Sequence, residues 1–332
     1  MEIRKIQLTG KSSYTVSLPK AWATHLGLKE RSQVALSTLP DGSLRVTPSE
    51  LVKPQERGIF NIDGLFGDSL ARQMIAIYIA GYETFELRAQ KIGSNQRETI
   101  RDMSYRLIGM EVVEETAKSV VIQDFLSPKE LQVKKSIRRM HLIIESMHAD
   151  AIKSLLKKDI DLANDVILRD RDIDRHYLLV LKRLQAMLKT PFAEASDIGS
   201  NESLEYYLTA VSLERIADHA TKIARCVLML AGGSVPREIL DSINEASNLS
   251  NDVMQLAMDA LSKLDAKLAE KAIGTKSRQI SVLKRVEEMT LNLDAHVALP
   301  LYCIVNSIDR VGDYGMNIAE VAINLAVAKS NG

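Results

Sequence analysis

Two short phrases of this chain carry acids at a spacing that does chemistry. Residues 213–224 read Leu-Glu-Arg-Ile-Ala-Asp-His-Ala-Thr-Lys-Ile-Ala, and residues 308–319 read Ile-Asp-Arg-Val-Gly-Asp-Tyr-Gly-Met-Asn-Ile-Ala. Both have the form acid-Arg-apolar-small-Asp and end in Ile-Ala. Each sets two carboxylates four residues apart, Glu214 with Asp218 and Asp309 with Asp313. On a helix those positions share one face, where like charges repel by roughly 0.2–0.5 kcal/mol per pair. A positive partner is expected beside each pair. Its occurrence twice predicts a duplicated helical region with acidic surface sites.

The elements that must position these acids follow from the surrounding pattern. From Pro128 to Lys329 apolar residues recur at three- and four-residue steps, as in Ile137, Met140, Ile144, Met147 and Ile152. Breakers at Pro191 to Ser200 and at Gly232 to Pro236 divide the region. Each half has room for three helices and ends on the acidic phrase, so two tandem antiparallel bundles are predicted. The methionines 140, 147, 187, 254 and 258 read as bundle core.

Residues 54–127 read as a small α/β domain. Strands are expected at 58–62, 85–89, 110–113 and 119–125, and helices at 69–81 and 95–107, giving a small split sheet. No glycine-rich phosphate loop is present, and a packed spacer is the plainest role for this segment. Residues 1–53 read as β-rich. Ile6 and Leu8 alternate with polar neighbours, Pro19 opens a short helix to Leu26, and Gly27 closes it. Asp41-Gly42 marks a hairpin between Gln33–Leu39 and Ser43–Thr47.

Charge narrows the classes further. The 332 residues have zero formal net charge. Residues 1–53 carry eight Lys/Arg against four Asp/Glu, whereas residues 54–127 carry eight against eleven. Any polyanion contact therefore falls to the N-terminal segment. The two cysteines, Cys226 and Cys303, lack a C-x-x-C partner and read as small core residues in a reducing compartment. No signal segment and no run of 18 apolar residues is present, which predicts a cytoplasmic protein without membrane insertion. The histidines 141, 148, 176, 219 and 296 lack zinc-hydrolase spacing, and no serine or cysteine stands in a nucleophile elbow, so no enzyme is expected.

Two resemblances sharpen this outline. Ile6-Gln-Leu-Thr-Gly-Lys, Tyr14-Thr-Val-Ser-Leu-Pro-Lys-Ala-Trp and Leu26-Gly-Leu-Lys resemble the swapped-hairpin domain of the AbrB/MazE/SpoVT class. The resemblance implies a barrel closed by two interleaved chains, hence a homodimer. It also implies DNA contact, here through Arg4, Lys5, Lys11 and Lys20. A purely dimerising barrel with solvated edge charges is the alternative. About 50 residues with one short helix bury too little surface alone, which agrees with dimerisation.

The two acidic phrases resemble the signature of the PhoU family of phosphate-uptake regulators, over about residues 128–329. The resemblance implies bundles at 128–235 and 236–332, a transporter ATPase or sensor kinase as partner, and metal ions held by E/D-x-x-x-D pairs. Asp170 and Asp174 match the family's second-helix pair, so the implied patch is Asp170, Asp174, Glu214 and Asp218. Asp309 and Asp313 form the second candidate. Oxygen ligands suit hard or borderline divalent or trivalent ions (iron, zinc, manganese, magnesium or nickel), and the sequence leaves the choice open. The second half departs from the pattern. Lys276 and Arg278 stand where acids are expected, so Asp309 and Asp313 can be neutralised internally. The competing reading of both faces is a solvated, salt-bridged surface.

Overall fold

The computed structural model describes residues 2–10, 12–38, 42–49, 57–126, 132–189, 198–199, 202–230, 233–291 and 293–330. The chain divides into two compact units, Met1–Glu56 and Arg57–Gly332.

In the first unit, β1 (Gln7–Thr9) pairs antiparallel with β2 (Ser13–Thr15). The short helix α1 (Lys20–His25) follows Pro19, and Gly27 takes the left-handed conformation that ends it. Strands β3 (Val34–Thr38) and β4 (Leu44–Pro48) form the expected hairpin, with Val34 opposite Pro48 and Thr38 opposite Leu44. Asp41 of the turn lies outside the described residues, as does Lys11. The two hairpins are separate two-stranded sheets, and the described residues of one chain close no barrel. Such ribbons are too narrow to bury a face. Ile6, Leu8, Tyr14, Leu36 and Leu44 accordingly stay more than half exposed.

The second unit begins with β5 (Gly58–Asn61), α2 (Gly67–Ile79), β6 (Thr84–Arg88), α3 (Ser94–Arg106), β7 (Met110–Glu115) and β8 (Ser119–Asp124). The sheet order is β5-β6-β8-β7, with β5 and β6 parallel and the other pairs antiparallel. Strand β7 runs two residues beyond the expected end because a bulge between Val112 and Glu114 restores its register with β8. Ile62, Met74, Phe85, Leu87, Ile100 and Ile122 form its core. The buried Gln96 amide of α3 donates to the Ile62 and Leu65 carbonyls, both at 3.0 Å.

Six long helices follow among the described residues: α4 (Val133–Lys157), α5 (Ile160–Lys189), α6 (Ser203–Met229), α7 (Arg237–Lys263), α8 (Ala266–Thr290) and α9 (Ala295–Ser330). Helices α4, α5 and α6 pack on one another, as do α7, α8 and α9. The duplication shows in the turns. Lys158 and Leu264, at the ends of α4 and α7, are both left-handed. An aspartate follows each: Asp159 accepts from Leu162 N at 2.9 Å, and Asp265 accepts from Lys267 N at 2.9 Å. The three-helix sets are not separate bodies. α6 lies against α9 and α4 against α7, and one continuous core runs from Met140 and Ile144 through Ile216, Val253 and Val286 to Ile304.

The α/β segment packs on helix α5. Leu178 and Leu179 of α5 pack into its core, and Lys182 pairs with Asp124 while lying over the Tyr78 ring at 4.3 Å. No described helix is long and apolar enough to cross a membrane.

Candidate metal centre on the acidic helix faces

In the first half, α5 presents Asp170 and Asp174 and α6 presents Glu214 and Asp218, each pair one turn apart. Every carboxylate is partly buried or flanked by another, and the field is visible in the protonation of Asp170, Asp174 and Glu214. Burial pushes the Glu214 carboxyl up to about 7, with Asp218, Asp174 and Asp170 adding to the shift and Arg215 opposing it. Burial also raises Asp170, helped by Asp174 and Asp218. It raises Asp174, against the pull of Arg106 and with the push of Asp218. Burial is the largest cause in all three, and carboxylate repulsion adds to it.

Their present counter-ions are arginines, and Arg225 acts on Asp170. Arg215 reaches Asp218 at 3.2 Å and Glu214 at 3.5 Å. Arg106, at the end of α3, reaches Asp174 at 3.4 Å. Among the described residues no three Asp, Glu, His or Cys side chains converge on one point that could hold a metal. The donor set is all-oxygen and suits a hard cation in type. The side chains are drawn apart toward Arg106 and Arg215, so an ion there has to displace those pairs.

The second half does not fit a metal. Lys276 of α8, nearly fully buried, places its ammonium 2.6 Å from Asp309 Oδ1, 2.9 Å from Asp313 Oδ1 and 2.7 Å from the Asp309 carbonyl. An ammonium has three protons, and all three find acceptors here. A divalent ion at Asp309 and Asp313 would meet a buried positive charge already in place. Arg278, the other candidate counter-ion, is exposed. Gln279 lies beside the lysine and donates to the Ile308 carbonyl at 2.7 Å. The small position of the phrase explains itself at this point. A Cβ on Gly312 would stand 2.1 Å from Gln279 Oε1 and 3.0 Å from Lys276 Cδ.

Because α6 and α9 are neighbours, the two phrases meet. Tyr314 of the second lies 5.9 Å from the His219 ring of the first, and Arg310 stacks over Tyr314 at 5.0 Å. Asp170, Asp218, His219, Lys222, Arg225 and Tyr314 help line an open cleft of about 370 Å³. Burial, together with Lys222 and Arg310, keeps the His219 pKa below its ordinary value. The sequence pattern pointed to the acids and to Lys276. It did not reveal Arg106 or Tyr314, which arrive through tertiary packing.

In the N-terminal unit, Lys5 and Lys20 are exposed. Arg4 donates to Ser17 Oγ at 3.1 Å and pairs with Glu2. Lys11 falls outside the described residues.

Comparison with known proteins agrees with this division. Residues 137–227 match the PhoU domain, and residues 7–54 match the family described as "Antidote-toxin recognition MazE, bacterial antitoxin". The chain is 28% identical over 210 residues to a phosphate-specific transport system accessory protein PhoU homolog of Pseudomonas putida, covering 58% of this chain and 77% of that protein. It is 29% identical over 208 residues to the corresponding protein of Pseudomonas aeruginosa, covering 58% and 81%. The crystal structure of PhoU from Pseudomonas aeruginosa superposes with a TM-score of 0.55 at 24% identity, over 59% of this chain and 96% of that one, which speaks for the fold. Residues 137–227 of the helical region are thus similar to the PhoU domain, and residues 7–54 to the MazE family.

Proposed function

We propose that this protein regulates phosphate uptake from the cytoplasm, taking a metal ion at Asp170, Asp174, Glu214 and Asp218 and contacting DNA through its N-terminal unit. The observation that carries the metal reading is the contrast between the two acidic faces. One is closed by a buried lysine, and on the other burial and mutual repulsion hold Asp170, Asp174 and Glu214 above the usual carboxylate range. The similarity to phosphate-transport accessory proteins supplies the phosphate context. It also supports regulation rather than catalysis, and a transporter ATPase or signalling protein as partner.

The N-terminal unit carries a net positive charge and exposed apolar strands. Those strands support an interleaved homodimer in which two copies of Arg4, Lys5, Lys11 and Lys20 face DNA. A second reading, an adaptor that docks on a transporter while its barrel only dimerises, draws on the same apolar strands. The Arg4–Glu2 pair also favours it by occupying one of the cations.

One set of variants tests both parts. Glu214→Asn with Asp218→Asn abolishes metal uptake, measured by calorimetry, and leaves DNA binding intact. Arg4, Lys5 and Lys11 changed to Ala weakens binding to phosphate-transport promoters. It also lowers the salt slope by about 0.9 per lost phosphate contact. Salt-insensitive or absent DNA binding by the parent protein gives first place to the adaptor. Unchanged metal uptake by the Asn variant removes the metal reading.

A further inference from the structure

The two cysteines, 77 residues apart in sequence, are brought face to face by the packing of α6 against α9. Cys226 lies one turn before the end of α6, and Cys303 lies in the third turn of α9. Their sulfur atoms are 2.8 Å apart, and both are free thiols. A disulfide closes at about 2.05 Å, so bond formation asks for a movement of under about 1 Å. No third Asp, Glu, His or Cys joins them among the described residues, which argues against a thiolate metal site. Cys226 is buried at 4% exposure, whereas Cys303 is only partly buried and gives an oxidant its entry.

We propose that Cys226 and Cys303 are a site of reversible oxidation, forming an intramolecular disulfide that ties the first three-helix set to the second. The co-reactant is a hydroperoxide. The Cys303 thiol gives its proton to solvent, its thiolate attacks the peroxide oxygen, the O–O bond breaks, and Cys303 becomes a sulfenic acid while the released hydroxide takes a proton from solvent and leaves as one water. The Cys226 sulfur then attacks that sulfur. The S–S bond forms, the S–O bond breaks, and the departing hydroxide takes the Cys226 proton and leaves as a second water. Two thiols give up two electrons, and hydrogen peroxide is reduced to two waters. Burial holds the Cys226 thiol up to about 12, so Cys303 is the sulfur that meets the oxidant first and Cys226 the one that resolves it.

A reducing cytoplasm opens the bond again, which makes it a transient tie rather than a permanent staple. The tie lies on the two helices that carry the acidic phrases. Oxidation therefore fixes the register of Glu214 and Asp218 on α6 against Asp309 and Asp313 on α9.

The test uses the full-length protein, hydrogen peroxide, and iodoacetamide trapping read by intact mass. The oxidised chain is expected to lose about 2 Da and accept no alkyl group, and dithiothreitol is expected to restore two alkylation sites. Its melting temperature is expected to rise by about 5 °C or more and to fall back on reduction, because a loop this long is closed. Cys303→Ser is expected to show neither the mass loss nor the melting shift. Two alkylatable thiols after oxidation, a dimer linked between chains, oxygen addition without bond formation, or a disulfide that leaves melting unchanged would each overturn the proposal.

Discussion

Lys276 shows how much a single side chain decides. Its ammonium lies between two carboxylates that face solvent on their outer sides, at 39% and 30% exposure. Removing the cation leaves Asp309 without its buried partner, while Asp313 keeps Arg310 at 3.0 Å. Lys276→Met is expected to cost about 2 kcal/mol in chemical denaturation, below the roughly 3–5 kcal/mol of a fully buried pair because solvent screens both acids. Added magnesium or manganese is expected to recover part of that loss in the variant. No such gain at this site is expected in the parent.

His148 gives a second expectation at the residue scale. It is buried between α4 and α7, with its Nε2 2.9 Å from Ser247 Oγ and its Nδ1 without a hydrogen-bond partner. Burial pushes its pKa down to about 4, while the unfolded chain titrates near 6.5. Between those values the unfolded state binds the extra proton. The contribution of the neutral imidazole is therefore whole above about pH 6.5 and is lost as pH falls toward 4, to the extent of about 3 kcal/mol. His148→Gln is expected to flatten urea midpoints measured across that window. This pair was not legible in the sequence, since 99 residues separate its members. The same holds for the meeting of Arg106 with Asp174 and of Cys226 with Cys303. The acidic pairs were legible because a four-residue spacing fixes a face before any packing is known. Lys276 was legible as a basic residue in an acid's place.

At the scale of elements, periodicity located nearly everything in the second unit. Residues 69–81 are realised as α2 over Gly67–Ile79, and 95–107 as α3 over Ser94–Arg106. The small shifts have local causes: the Ser69 hydroxyl accepts from Phe66 N at 3.0 Å, and Gln96 Oε1 accepts from Gly93 N at 3.1 Å, which moves each start forward. The turns after α4 and α7 were silent, because the left-handed residue is a lysine in one and a leucine in the other rather than glycine. That conformation costs an L-residue about 1–2 kcal/mol. Lys158→Gly is expected to stabilise by about 0.5–1 kcal/mol in equilibrium unfolding, after the loss of one exposed hydrogen bond to the Gly233 carbonyl at 3.2 Å. Leu264 packs against the core, so the same change there is expected to lose in contact what it gains in conformation.

For the whole molecule, the N-terminal unit and the helical body pose opposite problems. The helical body buries one core that both halves share. The N-terminal unit keeps Ile6, Leu8, Tyr14, Leu36 and Leu44 in the open, a load of apolar surface that two hairpins cannot cover. Leu8→Asp with Leu36→Asp is expected to convert a dimer at twice the chain mass into a monomer in sedimentation, with the far-ultraviolet helix signal unchanged. A parent protein that sediments as a monomer would remove both the dimer and the paired half-sites. The barrel that the resemblance implies is not closed by the described residues of one chain. The strand pattern fixes which faces are apolar, and the closing strands, on the dimer reading, come from a second copy.

The lysine-locked face also sets stoichiometry. If the four-carboxylate patch is the port for an ion, the duplicated body has two look-alike faces and one receptor. Occupancy then follows a simple hyperbola, one equivalent per chain, with a Hill slope of one. Among the described residues no second equivalent port then stands to sharpen the response. On the dimer reading, any steepness in the answer to changing ion levels comes from the pairing of chains, and the job of amplification then falls to the small strand-rich unit at the other end of the sequence.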